Sequence, residues 1–436
     1  MGLKVAKFGG SSLADAAHFK KVREILLADA DRRIVVPSAP GKRSSVDVKV
    51  TDLLYQCNRL ASSGKDIDEA FDRIVERYET IASDLELAID LKPYLDEVRK
   101  QIQLGAGEDY AASRGEYLNG ILLADYMGWD FVDPQQGIFF DAQGQLDSEK
   151  TQEQLSALLN DDVPTVVPGF YGAAPDGTIR TFSRGGSDIT GALVARAVNA
   201  DTYENWTDVS GFLMADPRVV DNPHEISSIT YKELRELSYM GASVLHEEAM
   251  FPVHRAGIPT NIRNTNKPYH PGTFILVEAP QTSGTITGIA GKKGFSVISI
   301  EKAMMNAELG FGRRVLAVLE EEGLSFEHLP TGIDTMCVVV AGDDLAPVRE
   351  RVLGRIMEVT NADTLTVHDN MSVIATVGRG MVRNCGTAGR LFLAMAKARV
   401  NVRMIDQGSS ELSIIVGVDD ADFEKTIRAI YQEFVG

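Results

Sequence analysis

Short β-branched runs alternate with longer amphipathic stretches through the first two thirds of this chain. The runs fall at Val5, at Ile34-Val35-Val36, at Thr165-Val166-Val167 and at Thr260-Asn261-Ile262. Between them, apolar residues recur at helical spacing over 16–29, 51–63, 68–88, 113–127, 187–199 and 230–240. Strands separated by helices predict a mainly parallel sheet covered on its faces by helices. Ligands of such sheets bind at the carboxyl ends of the strands. Residues 1–280 are expected to form this α/β domain.

The pattern breaks at Ala279-Pro280-Gln281-Thr282-Ser283-Gly284, and beyond it the chain repeats itself. Residues 315–344 and 391–420 match at an offset of 76. Leu324-Ser325-Phe326 aligns with Val400-Asn401-Val402, and Val338-Val339-Val340 with Ile414-Ile415-Val416. Each copy reads helix, strand, turn, strand, helix. Two copies are too few for a solenoid, so the tail reads as a duplicated α+β module.

Composition narrows the partners. The chain has 436 residues, 44% hydrophobic and 24% charged, with a net charge of −18. That field repels nucleic acid and anionic membrane, so an anion site here serves a small ligand. No apolar run approaches the length of a membrane span, and no signal segment opens the chain. Cys57, Cys337 and Cys385 are far apart and show no metal spacing. They suggest a reducing, cytoplasmic setting in which each fills a buried apolar position.

Four stretches carry candidate chemistry. In Lys4–Leu13 a strand runs into Lys7-Phe8-Gly9-Gly10-Ser11-Ser12. A Walker loop places its lysine after the glycines, and a dinucleotide fingerprint needs G-x-G-x-x-G; neither is present. Glycines still let backbone N–H groups approach an anion, the following helix would offer its N-terminus, and Lys7 adds a mobile charge. A second stretch, Arg184-Gly185-Gly186-Ser187-Asp188, precedes an amphipathic helix. Ser187 as N-cap and Asp188 in the first turn would be ordinary helix-start residues. An arginine beside an open backbone is also a natural carboxylate or phosphate fork. In the third, Thr207-Asp208 end a strand and Asp216-Pro217-Arg218 form a turn. In the fourth, Ser113-x-x-Glu116 reads as a capping box, with binding of an ammonium group as the alternative for Glu116.

In this order the four stretches resemble the aspartate kinases of the amino-acid kinase superfamily, and the duplicated tail resembles a pair of regulatory ACT domains. The resemblance implies an amino-acid kinase fold followed by two ACT-like, ferredoxin-like modules. It implies transfer of the γ-phosphoryl group of ATP, with Mg²⁺, to the β-carboxylate of L-aspartate, the step that opens lysine, threonine and methionine biosynthesis. Lys7, Phe8, Gly9, Gly10 and Ser12 would bind nucleotide, together with Thr207, Asp208, Leu213, Arg218 and Ser243. Asp188 would orient Lys7. Arg184 and Ser187 would meet the substrate, with Thr51 from Lys49-Val50-Thr51-Asp52-Leu53-Leu54. Glu116, in Gly115-Glu116-Tyr117-Leu118-Asn119, would take the amino group; Glu108 competes for that role.

Two positions depart from the family pattern. Leu213 stands where a tyrosine is common, and Ser243 where a lysine is common. The segment Pro40–Val50 is also longer than in many relatives. In the tail, 285–297 would belong with 368–436, and 298–367 would form an inserted module. Met305, Gly310, Glu327, Thr331 and Asp334 match effector loops. Lysine or threonine would be the inhibitor, bound to a homodimer or larger assembly joined through these modules. Metal ligands are not readable. A glutamate-type substrate, or an amino-acid sensor without catalysis, are the alternative readings.

Overall fold

The computed structural model describes every residue except Met1, Arg184 and the segments 243–246 and 280–283, with the side chains of Glu247 and Glu248 also outside the description. The expectations placed on Arg184 and Ser243 therefore lie outside the described residues. The chain forms two compact units. One comprises Met1–Phe212, Ser227–Tyr231 and Val244–Ala279; the other Leu213–Ile226, Lys232–Ser243 and Pro280–Gly436.

Residues 4–276 form, in order, β1 (Lys4–Phe8), α1 (Ala16–Leu27), β2 (Arg32–Pro37), α2 (Val50–Ser62), α3 (Asp68–Asp84), α4 (Lys92–Gln103), α5 (Glu108–Met127), β3 (Asp130–Phe131), α6 (Ser148–Leu158), β4 (Thr165–Val166), β5 (Tyr171–Ala173), β6 (Ile179–Thr181), α7 (Gly186–Ala197), β7 (Thr202–Thr207), β8 (Phe212–Leu213), β9 (Glu225–Ile226), β10 (Ser228–Thr230), α8 (Tyr231–Tyr239), α9 (Phe251–Ala256), β11 (Thr260–Asn264) and β12 (Thr273–Leu276). Eight of these strands make one sheet in the order β10-β12-β11-β7-β1-β2-β4-β3. β11, β7, β1, β2, β4 and β3 pair in parallel, so their carboxyl ends share one edge. β1 is central and buried along most of its length, Lys7 included, although its sequence, KVAKF, carries two lysines. Beneath it, Phe8, Phe19, Leu54, Phe71, Tyr78, Leu118 and Leu122 belong to a single core.

Two helix starts differ from the sequence reading. α5 begins at Glu108, not near 113, with Gly107 as its N-cap at φ 97°. Ser113 is thus inside the helix, its hydroxyl donating to the Tyr110 carbonyl at 2.7 Å, and the capping box does not exist. α7 starts from Gly185 at φ 58°, so Ser187 lies in the first turn rather than at the N-cap. α1 starts at Ala16, where its pattern was read, but a 3₁₀ turn, Gly10–Leu13, comes between it and the glycines. The Asp15 carboxylate already accepts the His18 N–H of α1, so the 3₁₀ turn, not the N-terminus of α1, follows the glycines. α4, α6 and α9 were not read as helices at all. Of the cysteines only Cys57 is buried; Cys337 is half-buried and Cys385 exposed.

The second unit is built on one six-stranded sheet, order β14-β15-β13-β16-β18-β17. Its elements are β13 (Gly288–Glu301), α10 (Phe311–Glu321), β14 (Phe326–His328), β15 (Thr335–Ala341), α11 (Gly342–Leu345), α12 (Arg349–Thr360), β16 (Thr364–Val377), α13 (Thr387–Lys397), β17 (Met404–Asp406), β18 (Ser413–Asp419) and α14 (Phe423–Phe434). β13 and β16 run antiparallel along their lengths. β15 joins the second half of β13, and β18 the second half of β16. α13 stands 76 residues after α10, the offset of the sequence repeat. Two apolar cores result, one around Ile298, Val315, Val338 and Ile356, the other around Ile374, Leu391, Val416 and Ile430. Ala215 and Val220 sit in the second core, which is why 213–226 folds with this unit. Within the same unit, buried Glu233 of α8 accepts from Thr287 Oγ1, from the Arg379 N–H and, at 2.6 Å, from Arg379 Nη1.

Candidate active site

At the end of β1 the chain turns through Gly9 and Gly10. A Cβ on Gly10 would stand 2.8 Å from the Ala39 carbonyl oxygen and 3.2 Å from the Gly41 nitrogen, so two backbones meet where no side chain fits. Gly41 N–H donates to Gly10 O at 2.8 Å, and Ser38 N–H to Phe8 O at 3.0 Å. The Lys7 ammonium reaches back over Gly9, 3.6 Å from where a Cβ would be. There it meets the Asp188 carboxylate at 2.6 Å. Both side chains are largely buried, so this is a screened-from-water pair with little room to wander.

Asp188 is itself fixed. Asn205 Nδ2 donates to its Oδ1 at 2.8 Å, and the Tyr203 hydroxyl to its backbone carbonyl at 3.1 Å. Both come from β7, two positions apart on one face, and Asn205 is level with Lys7 across the β1–β7 ladder. Neither was singled out from sequence, although alternation along β7 from Thr207 would have led to them. Phe8 points the other way, fully buried and stacked on Trp206 at 5.7 Å, so a ligand can reach only its backbone. Ser12 is buried too, its hydroxyl shared with Thr265 at 2.7 Å; Thr265 was another unforeseen neighbour.

Glu116 lies on α5, 6% exposed. Burial pushes its carboxyl up to about 8 against the opposing Ala39 N–H bond and the charges of Arg114 and Lys7. Its Oε2 is buried without a hydrogen-bond partner. Three residues on, Asn119 donates to the Ser38 carbonyl at 2.6 Å. Tyr78 donates to the Gly115 carbonyl at 2.7 Å. Gly115 allows the close approach: a Cβ there would meet Ala39 Cβ at 2.8 Å and Thr51 Oγ1 at 3.8 Å. Half-buried Thr51, at the start of α2, is thereby beside the Glu116 turn. Glu108 is exposed at the start of α5. Of the two competitors, only Glu116 is buried with an unpartnered carboxylate oxygen.

On the far side, Ser187 packs onto Gly169, whose Cβ would fall 2.6 Å from it. Phe170 follows at φ 85°, a conformation bulky residues avoid, held by its N–H bond to Thr190 Oγ1 at 3.0 Å. No sequence signal announces that strain. Thr207 and exposed Asp208 close β7, with Thr207 Oγ1 3.2 Å from Asp208 Oδ1. Leu213 and Arg218 belong to the second unit. There Leu213, Pro217, Asp221 and His224 help to line an open groove of about 920 Å³. Arg218 is exposed and paired with Asp216 at 2.7 Å.

The model of the amino acid kinase family matches residues 2–264, and an ACT domain model matches 374–434. Aspartokinase 3 of Bacillus subtilis (strain 168) is 41% identical over 450 aligned residues, covering 99% of this chain and 98% of that protein. The chain belongs to the aspartate kinases of the amino acid kinase family. The crystal structure of Clostridium acetobutylicum aspartate kinase, described as an allosteric enzyme, is 51% identical with a TM-score of 0.93, over 100% of this chain and 99% of that one. Escherichia coli aspartokinase III in complex with lysine and aspartate shares the fold at 23% identity and a TM-score of 0.76, over 100% of both chains.

Among the candidate effector residues of this kinase, Asp334 Oδ1 accepts the Met304 N–H at 2.8 Å, and Asn306 N–H donates to Ile333 O at 3.1 Å. The segments holding buried Met305, Gly310, Thr331 and Asp334 are thus brought together. Glu327, on β14, has a different partner, the hydroxyl of Tyr239.

Proposed function

We propose that this chain transfers the γ-phosphoryl group of MgATP to the β-carboxylate of L-aspartate, giving 4-phospho-L-aspartate and ADP. The observation that supports it most is the pairing of two opposed fittings at the strand ends. Lys7 lies over an open glycine turn, and a buried carboxylate, Glu116, has one oxygen awaiting a donor. The kinship with aspartokinases along the whole chain names the amino acid.

The chemistry needs little from the protein. A β-carboxylate has an ordinary pKa near 3.9 and is ionised at neutral pH, so no general base is required. Catalysis becomes in-line positioning and neutralisation of the transferred group. Lys7 supplies the charge, steered by Asp188, which Asn205 locks in place. The backbone of Gly9 and Gly10 approaches the phosphates. Mg²⁺ brought with the nucleotide would be held mainly by its phosphates and water and would help to neutralise their charge; among the described residues no group of three or more His, Cys, Asp or Glu could cage a metal. The substrate ammonium donates to Glu116 Oε2, with Thr51 and Ser187 as further substrate contacts, and the family resemblance gives Arg184, outside the described residues, the role of binding a substrate carboxylate.

Residues 298–367 and 285–297 plus 368–436 act as two ACT-like modules, with lysine or threonine as feedback inhibitor and a homodimer as the smallest assembly. Among the described residues no helix is long and apolar enough to cross a membrane, in keeping with a cytoplasmic enzyme. Hydroxylamine trapping with ATP over a panel of acidic amino acids tests the assignment. Aspartyl hydroxamate is the expected product; glutamyl hydroxamate alone would overturn it, and no ATP turnover with any acid would leave a sensor.

A further inference from the structure

Arg114 is a charge the kinase chemistry leaves unused. It is 5% exposed on α5, where a cation ordinarily has a carboxylate beside it. Instead its guanidinium carbon lies 4.7 Å from the ring centre of Tyr110, 4.5 Å from that of Tyr117 and 4.9 Å from that of Tyr171. Nε donates to Ser113 Oγ at 3.1 Å, and Nη2 is buried without a partner. Asp133, which faces the same rings, accepts the Tyr171 hydroxyl at 3.0 Å. Aromatic faces stabilise a cation, but they leave its net charge in place. A leucine or methionine would fill the same space without any desolvation cost.

Two residues along the helix is Glu116, also buried and also with one unsatisfied atom. Positions i and i+2 do not face each other on a helix, so the two form no ion pair. Charge nonetheless acts across several ångströms where water is excluded. The other groups turned toward Glu116 are Lys7 from β1, Tyr55 from α2, Tyr78 from α3 and the Ala39 N–H after β2. Lys7 is already matched by Asp188. Among the described residues, Arg114 is then the cation near Glu116 that has no ion pair, Asp133 being turned to the Tyr171 hydroxyl instead.

We propose that Arg114 is a positioning residue for aspartate binding, whose charge, held between three tyrosines without an ion pair, lowers the cost of ionising Glu116 as the substrate's ammonium group arrives. This rests on the assignment of Glu116 made above. Burial drives Glu116 toward its neutral form, and Arg114 and Lys7 are the charges that oppose it. A neutral carboxylic acid would receive an ammonium group poorly.

The test is the pH profile of KM for aspartate between pH 6 and 9, with KM for ATP measured alongside. In the wild type, KM for aspartate should rise on the acid side of a midpoint. Arg114→Met should move that midpoint about one unit upward, raising KM for aspartate about tenfold at neutral pH. The effect should fade by pH 9, KM for ATP should stay within twofold, and Arg114→Lys should restore the midpoint. A defect of equal size at every pH, or one shared by ATP, would mean a purely structural arginine. Should Arg114→Met not fold, salt decides on the wild type. A buried charge keeps the midpoint fixed between 0.05 and 0.5 M NaCl; a drift of more than half a unit would place its control at the surface. Glu116→Gln separates the two layers of argument: it must abolish the acid limb, and an acid limb that survives it would remove the Glu116 assignment and this proposal together.

Discussion

At the scale of single residues, the site is a matter of which charges are matched. Lys7 has one carboxylate at 2.6 Å and no competing ion pair in the described structure. Lys7→Ala should therefore cost on the order of a hundredfold or more in kcat, with an unchanged circular-dichroism spectrum; a folded variant at near-normal kcat would refute its role. Glu116 makes a second expectation, about stability. Its folded-state value, about 8, is above the ordinary 4.5. The folded protein thus holds a proton the unfolded chain releases, and stability falls as pH rises from about 4.5 to about 8. Thermal melts of the substrate-free protein from pH 5 to 9 should show wild type losing ground to Glu116→Gln toward the alkaline end. Added aspartate should reverse the order there. Lys7 before paired glycines and Asp188 in a helix's first turn could be singled out locally, but Glu116 read alone as a cap, and all three were given site roles only through the resemblance of the four stretches together. Asn205, Thr265, Phe170 and Arg114 were not. Their importance comes from what lies across the sheet, and no local pattern records that.

At the scale of elements, the four β-branched runs coincide with β1, β2, β4 and β11, while errors fall at helix starts, in the unread α4, α6 and α9, and in the short strands. The start of α5 was missed because Glu108–Ala112 carries no apolar stripe, and the helix beyond is buried nearly all round. A serine three residues before a glutamate then imitated a cap. The glycine turn shows what the sequence does record: Gly10 is required because the Ala39 carbonyl lies where its Cβ would be. Gly10→Ala should cost about 1–3 kcal/mol in stability by forcing backbone apart, and raise KM for ATP more than for aspartate. Urea unfolding with initial rates would show both; a neutral effect on each would mean the β1 and β2 ends can slide. α8 offers a comparison. Breaking its buried pair by Arg379→Ala leaves Glu233 with less compensation and should destabilise the second unit by about 3–5 kcal/mol, seen as faster amide exchange along β13 and α8.

At the scale of the whole molecule, the repeat was visible at an offset of 76 because duplicated cores keep their apolar spacing. How β13 and β16 share one sheet was less visible, since pairing partners distant in sequence leave no mark on either strand. The regulatory reading predicts that an amino acid of the aspartate pathway inhibits the wild type with a coupling of about 1–3 kcal/mol. Asp334→Ala, which frees the Met304 N–H, should blunt that inhibition while kcat stays intact. If no such amino acid inhibits, the regulatory claim fails and the kinase assignment remains. The stretches 213–226 and 232–243 carry a wider consequence. They lie inside the span matched by the kinase family model, residues 2–264, yet Ala215 and Val220 are core residues of the other unit. Regulation in this chain is not a cassette appended to an engine. A protein cut at residue 280 would leave Ala215, Val220 and buried Glu233 without their partners, and a regulatory half grafted from a distant relative would have to recreate them. Shortening the chain thus removes partners that residues 213–226 and 232–243 need, so engineers seeking a feedback-free enzyme will do better to alter single residues than to shorten the chain.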